Sequence, residues 1–266
     1  MKTGTLLLAL VLSAAPALAE FDREPWRLHH RDSPETIDHG PWAQILERHL
    51  SIDTTGLHRF DYESVDREDR ALLQSYLEDL QAVRVEELDR PEQMAFWINL
   101  YNALTIDVVL RHFPVNSITE IRLGSGNGPW DTPLVEVGGT SLTLNQIEHE
   151  ILRPIWQDPR IHYAVNCASV GCPNLAEEPF TGENLEDLLD EGAEGFVNHP
   201  RAVRFEDGKL ILSSLYDWYG SDFGATTREI LEHLEIYAED ELADRLIHFE
   251  GEVAYDYDWA LNLTVP

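Results

Sequence analysis

Residues Met94 to Leu110 read MAFWINLYNALTIDVVL, the least polar stretch of the chain beyond residues 1–19, and Pro91 stands where a first helical turn would open. A helix that is apolar on every side has to be enclosed by other elements. Asn99, Asn102, Thr105 and Asp107 interrupt the run, which suits a core helix and not a membrane span. The expectation is therefore a fold built outward from one central helix.

What surrounds it can be read from periodicity. Trp42, Ile45, Leu46 and His49 fall at helical spacing, and Arg67 to Val83 repeats the pattern with Leu72, Leu73, Tyr76, Leu77 and Leu80. Beyond Pro114 the segments shorten. Leu134 to Val137 and Thr140 to Leu142 flank Gly138-Gly139 as a hairpin, and Ala202 to Phe205 and Leu210 to Leu212 flank Asp207-Gly208 as a second. Thr143 with Gln146 forms a capping-box pattern that starts a helix running to about Arg153. Ile161, Tyr163 and Val165 alternate with His162, Ala164 and Asn166, the spacing of a strand. Helices over Leu185–Val197, Thr226–Leu234 and Glu239–Ile247 and a closing strand over Glu252–Leu263 complete the reading. The fold class expected is α+β: a single globular domain over 41–266, with helices around the central one packed on a small, mostly antiparallel sheet. Residues 20–40 have no sustained apolar period and read as an extended arm.

The first nineteen residues have their own logic. Lys2, the apolar run Leu6 to Val11 and Ala17-Leu18-Ala19 have the order of a secretory signal peptide. The run is too short to cross an apolar layer of about 30 Å, so the expectation is an exported protein, periplasmic or extracellular, with no stable membrane anchor. Asp and Glu number 49 against 19 Lys and Arg, a formal net charge of −30. Nucleic acid is then excluded as a partner by repulsion from its phosphates, which leaves a small-molecule or peptide ligand.

The only two cysteines lie in Asn166-Cys167-Ala168-Ser169-Val170-Gly171-Cys172-Pro173. In an oxidising compartment the structural reading is a Cys167–Cys172 disulfide, which over so short a loop contributes roughly 2 kcal/mol and locks a loop more than it staples a fold. The functional reading makes Cys167 a nucleophile, which needs a base to form its thiolate. His149 and His162 are the candidate bases, and Asn99 or Asn102 could orient the imidazole in a Cys-His-Asn arrangement. His149-Glu150 begins like the zinc-protease helix H-E-x-x-H, but Arg153 stands where the second histidine is required, so no metal and no cofactor is expected. Gly124 to Gly128 is glycine-rich like a phosphate loop, yet Pro129, Trp130 and Pro133 follow where a helix start should present its amides. It reads as a flexible loop, whose position beside Trp130 leaves room for a ligand-covering role. Ser169 lacks the G-x-S-x-G elbow.

Taken together, Ala95 to Leu104, Ile147-Glu148-His149 with Leu152-Arg153, Arg160 to Ala164 through Cys167 and Cys172-Pro173, Leu215 to Phe223 and Tyr257-Asp258-Trp259 with Asn262 resemble the domain-of-unknown-function 547 family. The likeness spans about 90–262. It implies a module found in bacterial exported proteins and in plant proteins with coiled-coil extensions, without a settled activity, and it picks out Asn99, Asn102, His149, Arg153, His162, Cys167 and Cys172. The reading that results is a thiol-dependent hydrolase or acyl transferase on amide or peptide-like substrates. Cys167 attacks, His149 or His162 is the base and Asn99 orients it, with Asn102, Arg153, Trp130 and Asn166 in support. The alternative is a non-catalytic periplasmic binding or interaction module closed by the Cys167–Cys172 disulfide.

Overall fold

The structure, a computed structural model, describes residues 21–123 and 128–264; the expected signal peptide and residues 124–127 of the glycine-rich loop lie outside them. Helix α1 (Glu24–Arg27) is a single turn inside the segment expected to be extended. It forms because Trp26 has a place to bury: its ring meets Trp97 edge-on, centroids 5.3 Å apart. The arm is tied down further by Gln93 Nε2 donating to Leu28 O at 2.7 Å and by His30 N donating to Leu88 O at 2.9 Å.

Helix α2 (Gly40–His49) leads into the antiparallel pair β1 (Leu50–Ile52) and β2 (His58–Phe60). Helix α3 (Arg67–Gln81) is capped by Asp66, whose carboxylate accepts from the Glu68 and Asp69 amides. Then comes α4 (Arg90–His112), capped by Asp89, with every residue from Glu92 to Leu110 buried. No helix among the described residues is long and apolar enough to cross a membrane. Trp97, wholly buried at its centre, makes α4 the axis of the larger core; truncating such a ring to alanine costs about 3–5 kcal/mol.

Strands β3 (Val135–Val137) and β4 (Thr140–Leu142) form the first expected hairpin, with Gly138 and Gly139 at positive φ. The capping box follows as expected: Gln146 N donates to Thr143 Oγ1 and Thr143 N to Gln146 Oε1, each at 3.0 Å. The helix it opens is a π-helix over Gln146–Leu152, in which Arg153 N donates to Glu148 O, before α5 (Arg153–Trp156). Pro154 accounts for the widening, since its ring crowds the carbonyl four residues back and it has no amide to donate. π-Turns of this kind recur at functional sites.

The strand expected over Ile161–Asn166 is instead the helical turn α6 (Ile161–Ala164). Alternation misleads here because the supposedly polar positions are buried too: His162 is 2% exposed and Asn166 4%. Ile161 and Ala164 join the larger core while Tyr163 belongs to a second one, so α6 is pressed between the two. That second core is built by α7 (Leu185–Val197), β5 (Val203–Glu206), β6 (Lys209–Ser213), the short turns α8 (Leu215–Trp218) and α9 (Gly220–Phe223), then α10 (Thr227–Tyr237) and α11 (Asp240–Ile247). Strand β7 (Val253–Asp256) adds to β6 in parallel. The closing strand expected over 252–263 is thus only four residues long, followed by isolated bridges from Leu261 to Ser169 and from Leu263 to Phe60. The architecture is α+β, with three small sheets among the described residues where one was expected.

Candidate functional site

The cysteine loop follows α6 and is shaped by two asparagines. Asn102, on α4, donates from Nδ2 to Ala164 O at 2.9 Å and accepts from Asn166 N at 2.8 Å, anchoring the chain just before Cys167. Asn166 donates to Pro173 O at 2.7 Å and accepts from Ala168 N at 2.7 Å, bending the loop so that its ends meet. Ala168 takes a left-handed φ of 59° within that bend. The C-terminal segment then lies along the loop: Val170 N donates to Ala260 O and Gly171 N to Asp258 O, both at 2.8 Å. Gly171 is required there, because a Cβ would sit 2.9 Å from the Asp258 amide nitrogen.

This pairing brings Tyr257 over the thiols. Cys167 Sγ lies 3.1 Å from both Tyr257 Oη and Ser169 Oγ, and those two hydroxyls are 2.9 Å apart. Cys167 and Cys172 are free thiols with their sulfurs 2.8 Å apart. Cys167 N also donates to Cys172 Sγ at 2.9 Å. The pair divides its first proton loss unequally. The Cys167 thiol is pushed up by its hydrogen bond to Cys172 and by burial. Burial opposes the Cys172 thiolate as well, but hydrogen bonds from the Cys167 thiol and amide and from Tyr257, with the Arg201 charge, outweigh it and pull that thiol down.

Both sulfurs open onto a cavity of about 300 Å³ whose walls include His162, Glu148, Tyr101, Trp130, Trp218 and Trp259. His162 Nε2 is 2.8 Å from Asp222 Oδ2. The hydrogen bond from His162, then the Arg153 guanidinium, hold Asp222 well below the usual carboxylate range against the opposing effect of burial. The ionised carboxylate can only accept, so Nε2 carries the hydrogen, and in the neutral ring Nδ1 keeps its lone pair. Tyr219 stacks on the same imidazole, centroids 4.4 Å apart. Arg153 grips Asp222 at two points, Nε to Oδ2 at 2.6 Å and Nη2 to Oδ1 at 2.9 Å.

Not every residue singled out above converges here. His149, next to Glu148 on the π-helix, does not line the cavity; its Nδ1 accepts from Arg153 Nη1 at 3.1 Å, and burial pushes its basicity down. Asn99 is also elsewhere. Its Nδ2 donates to Phe180 O at 2.7 Å and its Oδ1 accepts from Phe180 N at 3.1 Å, so both ends of the amide hold a loop and neither reaches His149 or His162. The group that orients an imidazole at the cavity is Asp222, within the Leu215–Phe223 motif but passed over as a site residue. In the sequence Glu148 stands only within the Ile147-Glu148-His149 motif, and Tyr257, Trp218 and Trp259 only within the two C-terminal motifs. Their shared signal was the crowding of aromatic residues in two short segments near the C-terminus. Trp130 owes its place to Gly128, where any Cβ would lie 2.0 Å from the indole.

Residues 85–197 match the family model described as "Protein of unknown function, DUF547". The match takes in α4, the π-helix, His162 and both cysteines, and ends before Asp222, Tyr257 and Trp259. No curated protein and no solved structure matches the chain.

Proposed function

We propose that the chain carrying this DUF547 region is a thiol-dependent hydrolase or acyl transferase on amide or peptide-like substrates, with Cys167 as nucleophile, His162 as base and Asp222 as the residue that orients the base. The observation that supports this most is the arrangement of His162: Asp222 occupies Nε2 at 2.8 Å, and the ring lines the same cavity as Cys167. An imidazole held by a carboxylate through one nitrogen keeps the other for the proton of the attacking thiol. In the reaction, Cys167 Sγ bonds to the carbonyl carbon and the carbon–nitrogen bond breaks. The thiol proton passes by way of His162 to the leaving amine, and water or an acceptor amine then releases the acyl group. The resting thiol is protonated, with Tyr257, Ser169 and Cys172 as its hydrogen-bond partners. Proton transfer to His162 accordingly runs across the cavity that both groups line.

This reading differs from the sequence expectation in its third member, Asp222 in place of Asn99, and in taking His162 over His149. Export is part of the proposal and is supported by the Lys2 to Ala19 pattern. The test is acyl capture. The protein is incubated with p-nitrophenyl esters and anilides of short acyl groups, and intact mass with peptide mapping locates any acyl adduct. Adduct on Cys167, absent in Cys167→Ala and slowed in Asp222→Asn, is the expected result; turnover that survives Cys167→Ala overturns it.

A second reading draws on a different observation, the 2.8 Å separation of the two sulfurs. In an oxidising compartment that proximity favours a Cys167–Cys172 disulfide and a binding module without turnover. Protein purified without reductant whose two thiols resist alkylation until reduced supports this alternative.

A further inference from the structure

Glu148 stands out among the buried acids of this fold. Only 6% exposed, its side chain lines the cavity, and among the described residues no hydrogen-bond donor reaches its carboxylate. The nearest basic atoms are the Nδ1 atoms of His149 and His162, at 3.7 and 3.9 Å, beyond hydrogen-bond range. The other buried acids have donors: Asp69 has Arg48 and His49, Asp107 has Arg111, and Glu92 receives the Ile37 and Gly182 amides. The Glu148 oxygens are not sealed in the interior but open to the cavity, so a ligand entering it can supply the donors that the protein does not.

The walls around Glu148 fit one kind of donor. Among the described residues the lining contains a second acid, Asp131, and no lysine or arginine. Trp218, Trp259 and Tyr257 form one cluster, with centroid separations of 4.7–5.6 Å, and Trp130 meets Trp259 edge-on at 5.8 Å. Indole faces attract cations as well as flat apolar surface. Anions are disfavoured by the two acids and by the −30 charge of the chain. At about 300 Å³ the cavity is at the small end of ligand sites.

We infer that this cavity binds an organic ammonium ion, a protonated amine on a compact apolar body, with the Glu148 carboxylate accepting from its N–H groups and the tryptophan rings packing against its body. For the acyl-transfer reading, on which this inference builds, the ligand class corresponds to a substrate or acceptor with a free amino group near the reacting carbonyl. The binding itself does not depend on the nucleophile.

The test uses 2-phenylethylamine, charged at pH 7.5, against its neutral isostere 2-phenylethanol and against 3-phenylpropanoate. Binding is followed by tryptophan fluorescence and calorimetry on the Cys167→Ala protein, which cannot form an acyl-enzyme. The amine is expected to bind about tenfold more tightly than the alcohol, with the carboxylate weakest. In Glu148→Gln the preference for the amine should fall to within about threefold, whereas Trp218→Ala, at a half-exposed position, should weaken amine and alcohol alike. Equal affinity for amine and alcohol, no binding of either, or an unchanged preference in Glu148→Gln overturns the inference. Should Glu148→Gln fail to fold, the comparison of the three probes still decides. Amine selectivity without acyl capture on Cys167 leaves the cation site standing and removes the enzyme, and the converse result does the reverse.

Discussion

Asp222 holds the imidazole of His162 without lining the cavity itself, Oδ2 accepting from Nε2 at 2.8 Å, while both of its oxygens accept from Arg153. The carboxylate thus fixes two basic groups that belong to different elements, α6 and α5. Its removal should be felt both in the orientation of the ring and in the docking of α9 onto the π-helix region.

Asp222→Asn should cost about 1–3 kcal/mol at pH 7, between the values for exposed and fully buried pairs, because the side chain is 26% exposed. The sign with pH follows from the depressed carboxyl. Its contribution is complete above the ordinary value of 3.8 and is lost as pH falls below it toward the folded-state value. Urea denaturation of both proteins at pH 7 and pH 3 should therefore show the gap narrowing in acid; an equal gap at both pH values contradicts the assignment.

Asn102→Ala removes the donor to Ala164 O and the acceptor for Asn166 N, both buried, for a loss of about 2–4 kcal/mol in chemical denaturation. It should also loosen the cysteine loop, so that Cys167 is alkylated faster than in the wild type. Asn99→Ala removes an equivalent pair of bonds to Phe180 and should cost a similar amount with no change in thiol reactivity. Identical alkylation rates in the two variants argue against a special role for Asn102 in the loop.

How far these relationships were legible in the sequence depends on distance along the chain. The central helix, both glycine hairpins and the capping box were readable because each is set by residues within a few positions of one another. α6 was misread because period-two alternation reports a strand only when one face meets water, and His162 and Asn166 are buried on a segment enclosed by two cores. The pairing of His162 with Asp222 spans 60 residues and that of Cys167 with Tyr257 spans 90. Neither separation leaves a local trace. Asn99 and Asn102 look equivalent in sequence, three residues apart on one helix, yet the first faces the 180 loop and the second the cysteine loop.

The two thiols offer a third test. The hydrogen bond to Cys172 is the first cause of the raised Cys167 thiol, with burial second. Cys172→Ala removes the first and leaves the second, so the Cys167 thiol should move back toward its ordinary value. The rate of alkylation by iodoacetamide, followed against pH by peptide mapping, should rise to half its plateau at a lower pH in Cys172→Ala than in the wild type. A midpoint that stays or moves up shows that Cys172 does not control the proton on Cys167.

Two histidines away from the cavity contribute to the pH dependence of stability below neutrality, in the same direction as His149 and His199, which burial also lowers. His39 is packed against Tyr76, Nδ1 to Oη 2.6 Å, and His233 Nε2 is 2.9 Å from Tyr163 Oη. Burial is the main cause that lowers each from 6.5 to about 4, with Asp38 and Asp158 respectively opposing it. Between those two values the unfolded chain binds protons that the folded chain does not, so stability is complete above 6.5 and declines as pH falls toward 4. The loss attributed to Asp222 begins only below 3.8, which separates the two effects. Guanidinium midpoints measured in steps from pH 7 to pH 4.5 should fall steadily for the wild type and more gently for the His39→Gln, His233→Gln double variant. The variant starts lower at pH 7, because glutamine fills neither ring-shaped site, and its curve should approach the wild-type curve in acid. Parallel curves would place the titration on other groups.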